Sequence, residues 1–242
     1  MDKITPLRYS TATMNKSILA VTAHADDHVV FAGTIFKLLA RGYEYNEAIL
    51  TDSGEGVDQR SAGKADRAGT AAMRSSEFDE ASAFIGTAQT FSLGQEDQNL
   101  QYSKELMHEL VGIIRKVRPE IALTMNLTDV HPDHQAAAHL AKEAFRWAAK
   151  SFRPELGEPH RTNIVLFCEG TLPVMPHVLV DITDTYQKKE DLFRIYASQA
   201  AQRDIDLLKG TAAVRGYHLR KKEGLYAEAF TTEQNILPIL FE

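Results

Sequence analysis

The sequence has 242 residues and a single cysteine, Cys168. A disulfide framework and a cysteine-based zinc site are both excluded, so any metal must be held by His, Asp or Glu. Excess positive charge is also missing: Lys plus Arg number 27 against 33 Asp plus Glu, a net charge of −6. Nucleic acids and anionic membrane surfaces select a basic face, so neither is an expected partner. Aromatic residues are 8% of the chain, which does not suggest a base-stacking platform. No apolar run approaches the roughly 18 residues that a membrane-spanning helix needs. Residues 1–16 are polar and threonine-rich, with no apolar stretch of the signal-peptide kind. A cytoplasmic protein is the expectation.

The chain is 44% hydrophobic and 25% charged, as in ordinary globular proteins. Its length suits one α/β domain over 1–242, with 1–16 as a polar N-terminal extension. Repeats, low-complexity tracts and long linkers are absent. Short apolar runs at 17–23, 48–51, 90–93, 121–125, 163–168 and 177–182 read as strands. Stretches at 29–39, about 64–85, 104–117, 134–150 and 185–208 read as helices. Such alternation predicts βαβ units and a mostly parallel sheet with helices on both faces. Ligands of such sheets sit beyond the carboxyl ends of the strands, so reactive residues should follow the apolar runs.

They do. His24-Ala25-Asp26-Asp27-His28 follows the first run, and His131-Pro132-Asp133-His134 follows the fourth and opens a helix. His24 and Asp27 are three apart where a strand becomes a helix, so both can face one point. His131 and His134 share one face of a first helical turn. Two imidazoles and one carboxylate are a recurring catalytic zinc set, which leaves a position open for water. Asp26 lies next to a ligand but points elsewhere, as a general base would. The remaining histidine can stabilise an oxyanion or protonate a leaving amine. A single His-x-x-His is weak evidence, and paired acids after a strand often only complement a helix dipole. Two such clusters on one sheet point to a metal site.

Other residues carry less. The segment 51–56 follows the second run and is either a substrate loop or a simple turn. It lacks the Gly-Lys-Ser/Thr ending of a phosphate loop. Glu169 can line the pocket. Arg215, Arg220, Lys221 and Lys222 form a basic patch, ordinarily a solvated face and alternatively an attractor of an anionic substrate group. His108, His139, His160 and His177 read as packing or loop residues, and Cys168 as a small buried hydrophobe.

The two clusters resemble the LmbE/PIG-L family of zinc-dependent N-acetylglucosaminyl deacetylases and amidases. The family's Ala-His-Pro-Asp-Asp-Glu is similar to 23–28, and its His-Pro-Asp-His matches 131–134 fully. Arg74-x-x-Glu77 with Ala81 and 85–86, the stretch from Asp181 to Gln199, and 226–230 also resemble family segments. The likeness runs over about 17–230 and implies a Rossmann-like fold. It implies that His24, Asp27 and His134 bind one Zn²⁺ per chain, with Asp26 as general base. It implies His131 near the oxyanion, Asp133 orienting His131 through its ring nitrogen, and Arg74 and Asp97 holding sugar hydroxyls. Two positions depart: Ala25 replaces the family's proline, and His28 its glutamate. His28 is then a fourth ligand, a substrate contact or a helix-start residue.

The expected reaction is metal-assisted removal of an N-acyl group, acetyl first, from an amino sugar or related small molecule. An amidase for a larger thiol-conjugate or natural-product amide is the alternative, and a non-catalytic sugar or metabolite binder a third. A homo-oligomer is expected by resemblance alone.

Overall fold

The computed structural model describes residues 16–60 and 66–232. Of the expected N-terminal extension, only Lys16 lies within them. β1 (Ser17–Thr22) is buried along its whole length, as a strand covered on both faces must be. β2 (Glu44–Thr51) and β4 (Ile121–Thr124) flank it in parallel. β3 (Gln89–Gln95) continues the sheet beyond β2, and β5 (Ile164–Cys168) beyond β4, both again parallel. β7 (Ala227–Thr231) pairs antiparallel with β5 and with β6 (Val178–Asp181). The order is β3-β2-β1-β4-β5-β7-β6. The sheet is thus the mostly parallel one expected.

Helices α1 (Ala32–Leu39), α2 (Arg67–Ile85), α3 (Lys104–Val117) and α4 (Pro132–Ala148) make the crossovers. Right-handed connections put α1 and α2 on one face and α3 and α4 on the other. Packing agrees: α3 lies against α4, while α5 (Tyr186–Ile195) lies against α1 and α2. α6 (Gln202–His218) packs on β7. Ala137, Ala141, Ala144 and Ala148 form the fully buried stripe of α4, and their small side chains let the helix come close to the sheet. Each larger buried side chain, such as Leu110 or Ile114 of α3, contributes roughly 1.5–3 kcal/mol.

The winding direction reverses between β1 and β4, which opens a crevice at their carboxyl ends. Both histidine clusters stand there.

Three elements differ from expectation. The segment 185–208 is two helices, broken at 196–201, because Ser198 leaves helical geometry to bond Glu77. No glycine or proline marks that break. The run 29–39 is a 3-10 turn, Asp27–Phe31, followed by α1. β7 has the pattern Ala-Glu-Ala-Phe-Thr, whose small residues give little strand signal. Among the described residues, no helix is long and apolar enough to cross a membrane.

Candidate functional site

The turn after β1 is built around Asp27. Its Oδ2 accepts the backbone N–H groups of Ala23 and His24, both at 2.8 Å. That fixes the carboxylate and aims Oδ1 outward. Oδ1 lies 3.1 Å from His134 Nε2 and 3.6 Å from His24 Nδ1. The two ring nitrogens are 3.2 Å apart. A tetrahedral ion with bonds near 2.0–2.1 Å spaces its ligands about 3.4 Å apart. The three donor atoms therefore fit the corners around one such ion.

Carboxylates stand behind both imidazoles. His24 Nε2 is 3.1 Å from Asp97 Oδ1 and 3.4 Å from Asp133 Oδ2. His134 Nδ1 is 3.2 Å from Asp129 Oδ1. At His24 such partners fix the tautomer and orientation of a metal-binding imidazole, and at His134 the carboxylate stands at ion-pair distance from the ring. The backbone fixes the carboxylates in turn: Asp97 accepts from Glu55 N–H, Asp133 from Gln98 and Leu100, and Asp129 from His131. Asp133 thus meets His24 with its carboxylate, and only its backbone N–H meets His131. Asp97 lines the cavity, but His24 and Glu55 already engage both its oxygens. Asp129 escaped the sequence reading; its place two residues before His131, where an aspartate closes a turn, was the available signal.

Burial and neighbouring charge oppose each other at these groups. Burial works against protonating His24, yet the charge of Asp27, with hydrogen bonds to Asp133, Asp27 and Asp97, pushes its pKa up to about 12. Burial also opposes His134, and Asp27 and Asp129 push it up to about 10. Burial would raise Asp27, but His134 and His24 hold it well below the usual carboxylate range. Asp97 is brought down to about 2 by His24 and the Glu55 N–H, against the effect of burial.

His131 behaves differently. It is the N-cap of α4, and its Nδ1 accepts the Asp133 N–H at 3.2 Å. The proton of the neutral ring is therefore on Nε2. Burial and the neighbouring His24 and His134 lower its pKa. Its ring centroid lies 4.8 Å from each of theirs.

Asp26 turns away from the three donors and pairs with Arg74. Arg74 is buried, with its guanidinium carbon 5.5 Å from the Tyr196 ring centre and Nη1 3.6 Å from Glu77. Glu77 accepts the N–H and the hydroxyl of Ser198 at 2.8 and 2.6 Å. The Arg74-x-x-Glu77 and Ser198-Gln199 stretches are thus one contact, and it positions Asp26. Nε and Nη1 of Arg74 have no hydrogen-bond partner among the described residues.

These groups surround a cavity of about 230 Å³. Ser53, Glu55 and Gly56 line it, so 51–56 borders the pocket, and so do Gln98 and Gln199, which sequence reasoning did not single out as site residues. Ser53 at φ 54° and Gln98 at φ 63° hold strained backbone at this rim. Ala25, in place of proline, donates its N–H to Ser53 Oγ at 3.0 Å, a bond that proline cannot make.

His28 is neither among the three converging donors nor on the wall of this cavity. It is fully buried, with Nδ1 2.9 Å from Glu47 Oε2 and Nε2 3.1 Å from the Tyr196 hydroxyl. Glu169 is outside this cavity and pairs with Arg215. Arg215 is consequently buried and not part of a solvated basic face. His160 meets the Pro119 carbonyl and His177 the Thr232 hydroxyl, as loop residues do. Cys168 is buried, which pushes its thiol pKa well up and keeps it inert.

Fold and site together define an α/β enzyme whose topological switch point carries His24, His131 and His134, and His24, Asp97 and Asp133, in groups close enough to hold a metal. The chain belongs to the PIG-L family: residues 19–145 match the family described as GlcNAc-PI de-N-acetylase. It is 31% identical over 193 residues to the diacetylchitobiose deacetylase of Thermococcus kodakarensis, which covers 76% of this chain and 70% of that protein. The N,N'-diacetylchitobiose deacetylase of Pyrococcus horikoshii is 26% identical, with a TM-score of 0.79 over 92% of this chain and 84% of that one. A 4-carboxy-2-hydroxymuconate hydratase from Pseudomonas putida KT2440 is 25% identical, with a TM-score of 0.78 over 93% of this chain and 98% of that one.

Proposed function

We propose that this chain is a zinc-dependent N-deacetylase acting on a small N-acetylated amino sugar, with one Zn²⁺ per chain. The observation that carries the proposal is the trio His24 Nδ1, Asp27 Oδ1 and His134 Nε2, mutually 3.1–3.6 Å apart, with carboxylates behind both imidazoles. These three residues would hold the ion, with Asp97, Asp133 and Asp129 steadying the rings. Bound there, Zn²⁺ supplies a lowered pKa for water and polarisation of an amide carbonyl.

The remaining steps belong to the chain. Asp26 takes a proton from the attacking water, and Arg74 holds its carboxylate in place. His131 donates its Nε2–H to the carbonyl oxygen as negative charge builds there. The C–N bond breaks, the acetyl carbon keeps the water oxygen, and the amine leaves with the proton gained by Asp26. The side chains of Ser53, Gln98 and Gln199 line the cavity and suit sugar hydroxyls.

The hydratase among the structural neighbours motivates a second reading, addition of water to an unsaturated acid. Asp26, Asp27, Glu55 and Asp97 line the cavity against one arginine, which favours a neutral sugar over a polycarboxylate. The test measures zinc content, then acetate release from N-acetylglucosamine and diacetylchitobiose. Acetate release at about one zinc per chain supports the deacetylase. Bound zinc without acetate from any N-acetyl sugar overturns it, and hydration of an unsaturated acid then selects the second reading.

A further inference from the structure

A second cavity, of about 250 Å³, shares Asp26 and Asp27 as walls with the one just described. The two differ in chemistry. Among the described residues, no apolar side chain lines the first. The second is walled by Val30, Phe193, Leu207 and Leu208, and small residues of β7 and α6, such as Ala229 and Ala212, leave it room. Most of its charged groups have partners, and Asp204 keeps one buried oxygen without a hydrogen bond among the described residues. Lys189 and Glu228 pair at 2.7 Å, and Glu228 also accepts the N–H groups of Gly33 and Thr34 at the start of α1. Glu169 is held by Arg215, and Asp204 lies 3.5 Å from Arg203.

We propose that this second cavity is an acyl site, so that beyond N-acetyl sugars the enzyme takes amino sugars whose N-acyl group is an aliphatic chain of several carbons. The inference rests on the N-deacylase reading above. Asp26 acts at the scissile amide and stands where the two cavities meet. The two parts of the substrate must diverge from that point. The hydroxyl-rich amine part matches the all-polar cavity, and the acyl part matches the apolar one. At roughly 30 Å³ per water-sized group, the second cavity holds about eight such groups, which suits a hexanoyl or octanoyl chain better than acetyl alone. Hydrolysis balances as before: water adds to the acyl carbon, the C–N bond breaks, and a fatty acid and a free amine result.

The test uses the zinc-loaded full chain and N-acyl glucosamines with acetyl, butyryl, hexanoyl and octanoyl groups, read as free amine. Each buried methylene is expected to raise kcat/KM roughly fourfold until the cavity fills. Thr211→Phe grows into the cavity from α6 and should lower the hexanoyl-to-acetyl ratio at least tenfold. Phe193→Ala removes a wall and should raise the octanoyl-to-hexanoyl ratio. Acetyl cleavage with no gain for longer chains overturns the acyl site and leaves the deacetylase reading standing. So do ratios that neither variant moves. No amine from any substrate, acetyl included, with zinc bound overturns both.

Discussion

His24 Nδ1 faces His134 Nε2 at 3.2 Å. Two protonated imidazoles set N–H against N–H at that separation, a repulsion that is relieved when both nitrogens turn lone pairs to a metal ion. An inward lone pair is what a metal ligand offers. Asp27 brings the compensating negative charge, 3.1 Å from His134 Nε2.

The same contacts set a pH dependence for the metal-free protein. The folded-state pKa values, about 12 for His24 and about 10 for His134, lie above the ordinary value of 6.5. Burial opposes both, and Asp27 overrides it in each. A raised folded-state pKa means that protonation stabilises the fold. The contribution is complete below pH 6.5 and is lost as pH rises through about 10 at His134 and about 12 at His24. In excess chelator, Tm should therefore fall from pH 6.5 to 10. Zinc at the proposed site would compete with those protons, so loading should flatten the curve and release protons, which calorimetry in two buffers detects. A chelated protein whose Tm is level across that range contradicts the electrostatic account.

Asp26→Asn should lower kcat by roughly 10²–10⁴ with the metal retained. Asp26 is not among the three converging donor atoms, and its carboxylate pairs with Arg74. Elemental analysis beside steady-state kinetics separates the two effects. Loss of zinc in this variant would move Asp26 into the ligand set. Some loss of Tm is expected too, since Arg74 is buried and would lose part of its compensation.

Asp129 gives a prediction at a distance from the metal. Its Oδ1 is 3.2 Å from His134 Nδ1, and Asp129→Asn should weaken zinc binding 10- to 100-fold. Gly170 stands against the other oxygen, where an added Cβ would overlap the Asp129 carboxylate. Gly170→Ala should therefore weaken zinc binding in the same direction without touching a ligand. Competition against a chromophoric chelator measures both. An unchanged affinity in Asp129→Asn would show that His134 needs no support from behind.

The sheet and the two clusters were legible because each rests on local sequence. Buried strands read as apolar runs, and reactive residues follow them directly. His24, Asp27, His131 and His134 each lie within three residues of another member of the group. Long-range partners left no such mark. Asp133 sits two residues after His131 in sequence, yet its carboxylate reaches His24, because α4 begins at Pro132 and turns that side chain toward the turn after β1. Arg215 looked solvated beside Arg220, Lys221 and Lys222, and only the fold brings Glu169 to it. The break in 185–208 is imposed by Glu77, 121 residues away from Ser198, and no residue within the segment announces it.

His28 is the second departure from the family pattern, and it yields the sharpest stability test. Its Nδ1 meets both oxygens of Glu47, at 2.9 and 3.1 Å. Glu47 also accepts from the Tyr45 and Thr22 hydroxyls, at 2.9 and 3.0 Å, and is fully buried. Placing the family's glutamate at this position would set two carboxylates face to face without water. His28→Glu should then cost about 3–5 kcal/mol, the range for breaking a buried pair. Adding Glu47→Gln removes the repulsion and should restore much of that loss, because the two positions are in contact and their effects do not add. Urea unfolding of the wild type, both single variants and the double variant measures the coupling. If His28→Glu is neutral alone, the carboxylate of Glu47 tolerates a second one beside it, and the histidine was not required by its partner. If the double variant is more stable than His28→Glu alone, then the choice of histidine follows from Glu47.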